Sequence, residues 1–345
     1  MIPNYPIDQN IPIPPQGTWP GSVHRFDPLQ AAAAALRAAE ACGRPLLIRG
    51  APGVGKSQTA RAAAAAAKRP FLSVVIDGRT EPHDLMWRFD AVRRLADAQV
   101  RQRDDPPLRS EMAYLVPQAL WWAFNWLGAH EQLAKTLQLG DTQDDIERAA
   151  TQARAAWPCQ PDEGWQPASG RAVLLIDEID KADPDLPNAL LEVLANNGFQ
   201  VPHGRGADAR PVVCTDQTRP LVVITTNEER DLPNAFLRRC LVLTLELPKD
   251  EAAFSRYLVD LGKRHQELFA GAWGGQCLVL QAAAARLWAA RDAVPQHGEY
   301  QPGSAEYLDL VRVLATLWPD DAAEQGKQLL LLDRFTFKKT VRAGG

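Results

Sequence analysis

The sequence predicts an α/β fold: a parallel five-stranded sheet flanked by helices, with a small C-terminal α-helical domain after it. Five short apolar runs carry the first part, at residues 46–48, 71–76, 173–176, 221–226 and 241–247. Each is leucine-rich or β-branched, and several are separated by helical patterns. Their near-continuous apolarity marks strands buried on both faces, as in a parallel sheet. Past Pro248 the pattern turns wholly helical, at 251–262, 280–293 and 305–317. The chain of 345 residues is also longer than one core requires.

In order along the chain, residues 1–22 are proline-rich and include Gly17-Thr18-Trp19-Pro20-Gly21, which predicts an extended arm lying on something larger. A helix follows from Asp27 or Pro28 through the alanines 31–35, Leu36, Ala38 and Ala39, and Gly43 with Pro45 ends it. The first strand, Leu46-Leu47-Ile48, leads into a helix over 57–68 that stops before Pro70. Between Ile76 and Val173 lies an insertion with helical pieces near 81–101 and 118–127, then a polar stretch. Trp121, Trp122 and Trp126 stand close together there and are expected in the core. A helix over 184–196 has Asp183 placed to cap it, proline in its first turn, Leu186, Leu190, Leu191 and Leu194 on one face, and Gly198 past its end. The domain boundaries expected from this pass are an arm at 1–22, an αβα domain at 23–247 with an insertion at about 80–168, and a small α-helical domain at 248–345.

Composition excludes several classes. Hydrophobic residues at 46% and charged residues at 23% are globular values, not those of a disordered or fibrous chain. A net charge of -4 gives no global basic field, which weakens the case for a nucleic-acid partner and leaves only local basic loops. The start, Met1-Ile2-Pro3-Asn4-Tyr5-Pro6, lacks the charge and apolar run of a signal peptide, and no 18-residue apolar stretch is present, so a soluble, cytoplasmic chain without membrane insertion is expected. Five scattered cysteines lack CxxC spacing and read as buried or half-buried thiols; six histidines show no ligand spacing.

The chemistry sits in four segments. Gly50-Ala51-Pro52-Gly53-Val54-Gly55-Lys56-Ser57 satisfies GxxxxGK[ST], directly after a strand and opening a helix with Gln58. Its glycines let backbone N–H groups turn around phosphate oxygens. Lys56 is placed to reach the β and γ phosphates of ATP, and Ser57 to ligate Mg²⁺. Val173-Leu174-Leu175-Ile176-Asp177-Glu178 is an apolar strand ending in two carboxylates. Asp177 is expected to hold Mg²⁺, directly or through water; Glu178, one residue on, points elsewhere and suits the base that polarises the attacking water. The strand at 221–226 ends in Asn227, an amide that can orient that water or the γ-phosphate. Arg238 and Arg239 close a short helix at 234–239 with no phosphate of their own chain in evident reach, so at least one is expected to act on a neighbouring subunit's ATP.

GAPGVGKS, LLIDEIDKAD, ITTN and LPNAFLRRC, in this order, resemble an AAA+ ATPase, and within that class the MoxR group. DLMWRFDAVRRLADAQ, LWWAFN and DPDLPNALLEVLANNGFQVP are similar to that group over roughly residues 24–247. The resemblance implies that Asn227 is sensor 1 and that Arg239, with Arg238 beside it, is the trans-acting arginine. It implies a homo-oligomeric ring, a hexamer, that remodels or activates a protein client, with a von Willebrand factor A domain protein as a possible partner. It also implies a hairpin of 198–201 with 211–215 around His203, Arg205 and Arg210. The sequence departs from the group at the lid: where a sensor 2 arginine is expected, Gly303-Ser304-Ala305-Glu306-Tyr307 holds Glu306 or Tyr307, with Arg312 further on. A nucleic-acid motor or loader and a non-catalytic ATP switch are the rival readings; an intact Glu178 argues against the second.

Overall fold

In a computed structural model of the chain, residues 2–27, 31–100, 108–140, 142–202, 210–273, 275–292 and 301–337 are described. They fall into two compact units that interleave in sequence. One comprises residues 1–6, 32–48 and 63–243; the other comprises 7–31, 49–62 and 244–345.

The elements begin with β1 (Ile11–Ile13) and β2 (Ser22–His24), then α1 (Ala32–Cys42), β3 (Leu46–Arg49), α2 (Lys56–Ala67) and β4 (Phe71–Val75). The insertion contributes β5 (Trp87–Phe89), α3 (Ala91–Val100), β6 (Leu115–Pro117), α4 (Ala119–Phe124), α5 (Trp126–Leu137) and α6 (Gln143–Ala155). Then come β7 (Val173–Asp177), α7 (Asp185–Asn196), β8 (Gly198–Phe199), β9 (Val212–Val213), β10 (Leu221–Thr226), α8 (Asn234–Leu237) and β11 (Leu241–Thr244). Four helices close the chain: α9 (Glu251–Trp273), α10 (Leu280–Asp292), α11 (Ser304–Leu317) and α12 (Ala322–Thr336).

The five apolar runs form one sheet of order β11-β3-β10-β7-β4. Pairing is parallel, with Val173 opposite Leu221 on one side and Phe71 on the other. Every residue of β7 and β10 is buried, as strands covered on both faces must be. Because the strands are parallel, the loops leaving the C-terminal ends of β3, β7 and β10 leave the same edge, where open α/β sheets bind ligands.

The first unit's core joins this sheet to the insertion. Trp121, Trp122 and Trp126 are 4%, 5% and 3% exposed, so the aromatic cluster is core as expected. The single helix expected near 118–127 is instead two helices broken at Asn125, whose Oδ1 accepts the Gly128 N–H at 2.9 Å and caps α5. This break lets Trp122 and Trp126 meet edge-to-face, 5.1 Å between ring centres. The helical piece expected near 81–101 also differs: a 3₁₀ turn (Pro82–Leu85) and β5, paired antiparallel with β6, precede α3. The polar stretch contains α6, capped by Thr142, whose side chain accepts the Asp145 N–H. The predicted helix at 184–196 begins at Asp185, with the Asp183 carboxylate accepting the Asp185 N–H at 3.2 Å. Asn197, φ 52°, takes the left-handed position at its end, and Gly198 opens the expected hairpin, in which Gly198 pairs with Val213. His203 and Arg205 lie outside the described residues.

A buried carboxylate ties the N-terminus to this unit. Glu40 accepts both Arg69 nitrogens, at 2.9 and 3.2 Å, and the Tyr5 hydroxyl. Burial and Glu40's charge push the Tyr5 hydroxyl well above its usual range.

In the second unit the arm is not merely extended. β1 and β2 pair antiparallel and bury Ile11, Ile13 and Val23. Arg61 of α2, 2% exposed, donates to the carbonyls of Pro14 and Pro20 at 3.2 and 2.9 Å and lies 5.3 Å from the Trp19 ring centre. Proline-rich loops lack N–H groups but keep carbonyls, and a buried guanidinium satisfies them. Ser22 donates to Gln58 at 3.0 Å, so the arm packs on the first half of α2. The four C-terminal helices pack together; α9 is longer than the sequence pattern suggested, and α12 was not expected from it. No helix among the described residues is long and apolar enough to cross a membrane. Cys240 and Cys277 are buried, Cys159 and Cys214 are half-buried, and Cys42 is exposed. Burial pushes the Cys159 thiol up to about 12 and those of Cys240 and Cys277 to about 11.

Candidate nucleotide site

Residues 50–57 leave β3 and open α2 with a backbone only glycine allows. Gly50, Gly53 and Gly55 have φ of 149°, 78° and 94°. A Cβ on Gly50 would lie 2.3 Å from the Leu245 carbonyl oxygen, so no other residue fits. A Cβ on Gly55 would meet nothing within 4 Å, so there the backbone faces open space a ligand can enter. The Lys56 ammonium donates to the carbonyls of Gly50 and Ala51, at 2.6 and 3.0 Å, and the side chain is buried. Val54 is 6% exposed, and Thr59 locks the turn by donating to the Gly55 carbonyl at 3.1 Å. Together the positive-φ glycines, the open face at Gly55 and an ammonium folded over the loop fit a polyphosphate.

The two carboxylates ending β7 have different partners. Asp177 is buried, and its Oδ1 accepts the Thr225 hydroxyl of β10. Glu178 takes the left-handed backbone region, φ 61°. Its N–H donates to the same Thr225 oxygen at 3.0 Å, and its Oε2 accepts the Lys181 ammonium at 2.7 Å. That bond raises the pKa of Lys181. Asp180, 2% exposed, accepts the N–H groups of Asn227 and Glu229, at 3.1 and 3.0 Å. The turn carrying Asn227 is thereby fixed to the turn carrying Glu178. Thr225, Asp180 and Lys181 were not singled out from sequence. The signal for Thr225 was a polar residue at the end of an otherwise apolar strand, and Asp180 stood in the acidic Asp-Glu-Ile-Asp turn.

Arg238 and Arg239 follow α8 and are exposed. Neither guanidinium has a side-chain partner among the described residues, while the Arg238 carbonyl accepts Arg44 at 2.5 Å. At the lid, Glu306 turns back on its own helix: its Oε2 accepts the Gly303 N–H at 2.9 Å. Tyr307 is fully buried and donates to the Leu280 carbonyl at 3.2 Å. Both are occupied in holding α11.

A glycine-built phosphate loop after β3 and a carboxylate pair after β7, two strands of one parallel sheet separated by β10, define a P-loop nucleotide-binding protein. A family model for the AAA domain of the dynein-related subfamily matches residues 45–240, and the chain belongs to this family of AAA ATPase domains. No curated protein matches the chain.

Proposed function

We propose that this chain binds and hydrolyses Mg-ATP as a subunit of a ring, MoxR-like in kind, and uses the cycle to remodel or activate a protein client. The observation that carries the reading is the Asp177–Thr225–Glu178 triangle, in which one hydroxyl at the end of β10 fixes the buried Asp177 carboxylate and the Glu178 backbone. Residues 50–58 hold the nucleotide, with Lys56 on the phosphates. Ser57 and Asp177 are the residues that would ligate Mg²⁺, which when bound would neutralise the triphosphate's charge. Glu178 takes the proton of the attacking water; Lys181 holds its carboxylate in place until then. Asn227 orients the water or the γ-phosphate from a turn that Asp180 stiffens.

The exposed guanidiniums of Arg238 and Arg239 suit a role across a subunit interface. A trans arginine contributes on the order of 10³ to 10⁵ in turnover, about 4–7 kcal/mol of barrier, so an isolated subunit is nearly idle. The resemblance adds a hexamer and a von Willebrand factor A domain protein as partner.

The test is ATPase activity per subunit across a wide protein concentration range with saturating Mg²⁺, with mass measured at each point. Activity should rise as the mass rises. Glu178→Gln should remove turnover and leave binding, and Glu178→Gln mixed with the Arg238→Ala, Arg239→Ala double variant should recover part of it. A monomer of full activity would overturn the ring, and undiminished turnover in Glu178→Gln would overturn the base.

A further inference from the structure

The first turn of α11 lies directly on the phosphate loop, within the same compact unit. A Cβ on Gly303 would stand 3.0 Å from the Pro52 carbonyl oxygen and 3.4 Å from the Gly53 Cα. From the other side, a Cβ on Gly53 would lie 3.5 Å from the Gly303 Cα and 3.7 Å from the amide nitrogens of Ser304 and Ala305. At this close approach the Ser304 hydroxyl, on a residue 6% exposed, donates to the Gly53 carbonyl. Glu306 holds the turn from within by accepting the Gly303 N–H, and Tyr307 anchors the next residue to α10 through the Leu280 carbonyl.

No peptide bond in the described chain is cis. In a trans peptide the carbonyl and the following N–H point in opposite directions. A hydrogen bond that fixes the Gly53 carbonyl toward α11 therefore fixes the Val54 N–H away from it. Glycine at 53, with φ 78°, leaves this peptide free to rotate in the absence of such a restraint. In a phosphate-binding loop the backbone N–H groups are the ligands, so their direction decides affinity.

We propose that Ser304 is a positioning residue: its hydroxyl sets the Gly53–Val54 peptide so that the Val54 N–H faces the nucleotide's phosphates. Through it the helical lid reports on, and holds, the loaded state of the loop. Ser304 thus couples lid and loop, while Glu306 and Tyr307 hold the turn and the helix that carry it. The inference rests on residues 50–57 being the nucleotide site.

The test uses the full chain and two isosteric variants, Ser304→Thr and Ser304→Val, which differ only in the hydroxyl, with Ser304→Ala beside them. Binding of a fluorescent ADP analogue and kcat and KM for ATP are measured, with tryptophan fluorescence checking the fold. Ser304→Thr should bind within about twofold of its parent. Ser304→Val and Ser304→Ala should lose about tenfold in ADP affinity, about 1.4 kcal/mol, and the loss should fall on KM more than on kcat. Gly303→Ala, which keeps the hydroxyl but crowds Pro52, should show the same direction. Equal ADP affinity in Ser304→Thr and Ser304→Val overturns the proposal while leaving the nucleotide site standing. Failure of the parent chain to bind ADP, or undiminished binding in Lys56→Ala, overturns the site and the inference with it.

Discussion

Replacing Thr225 by valine isolates the one hydroxyl that joins both carboxylate residues at the end of β7. Valine has nearly the same shape, so no cavity opens in a side chain that is fully buried. What is lost is the donor to Asp177 Oδ1 and the acceptor for the Glu178 N–H. A hydrogen bond to a charged group contributes about 1.5–3 kcal/mol, and a buried N–H left alone costs about 1–3 kcal/mol. Glu178 is only partly buried and solvent relieves some of the second cost, so the expected destabilisation is about 2–4 kcal/mol. Thr225→Ser keeps the hydroxyl, removes one methyl and should cost only about 1 kcal/mol. Urea unfolding followed by tryptophan fluorescence reads the effect, because Trp121, Trp122 and Trp126 lie in the same unit as Thr225. Turnover should fall in parallel, since the left-handed turn that carries Glu178 loses its anchor. A Thr225→Val protein as stable as its parent, with unchanged turnover, would refute this account of the site.

Glu40→Ala should cost about 3–5 kcal/mol in the same unfolding assay, because it strands the Arg69 guanidinium, whose side chain is 9% exposed, without its carboxylate. The second unit should lose stability in acid. Burial, with Arg264 and His265 nearby, holds His24 down at about 4 from an ordinary 6.5. The unfolded chain therefore binds the proton first, and the contribution, present above pH 6.5, is lost as pH falls toward 4. The change is about 1–3 kcal/mol after allowance for partial exposure. The stability-versus-pH curve of His24→Gln, read by thermal unfolding, should be flatter across this window.

The sequence by itself determined the sheet, the phosphate loop and the carboxylate pair, because each rests on a local rule. Five apolar runs must be buried on both faces, GxxxxGK[ST] needs only its own strand and helix, and Asp177 with Glu178 follows directly from strand β7. Residues that work through distant partners were decided only by the tertiary structure. Thr225 meets Asp177 across a strand pair, Asp180 reaches the turn after β10, and Ser304 touches Gly53 from 251 positions away. The fate of Glu306 shows the same limit: as a residue type it could face solvent, a ligand or its own helix end, and only the turn at Gly303 makes it a cap. The break of α4 and α5 at Asn125 was equally hidden, since the helical pattern runs through it and the gain lies in tryptophan rings meeting across the gap. Local propensity is written in neighbouring residues, whereas the direction of a hydroxyl or a peptide plane is set by whatever the fold packs against it.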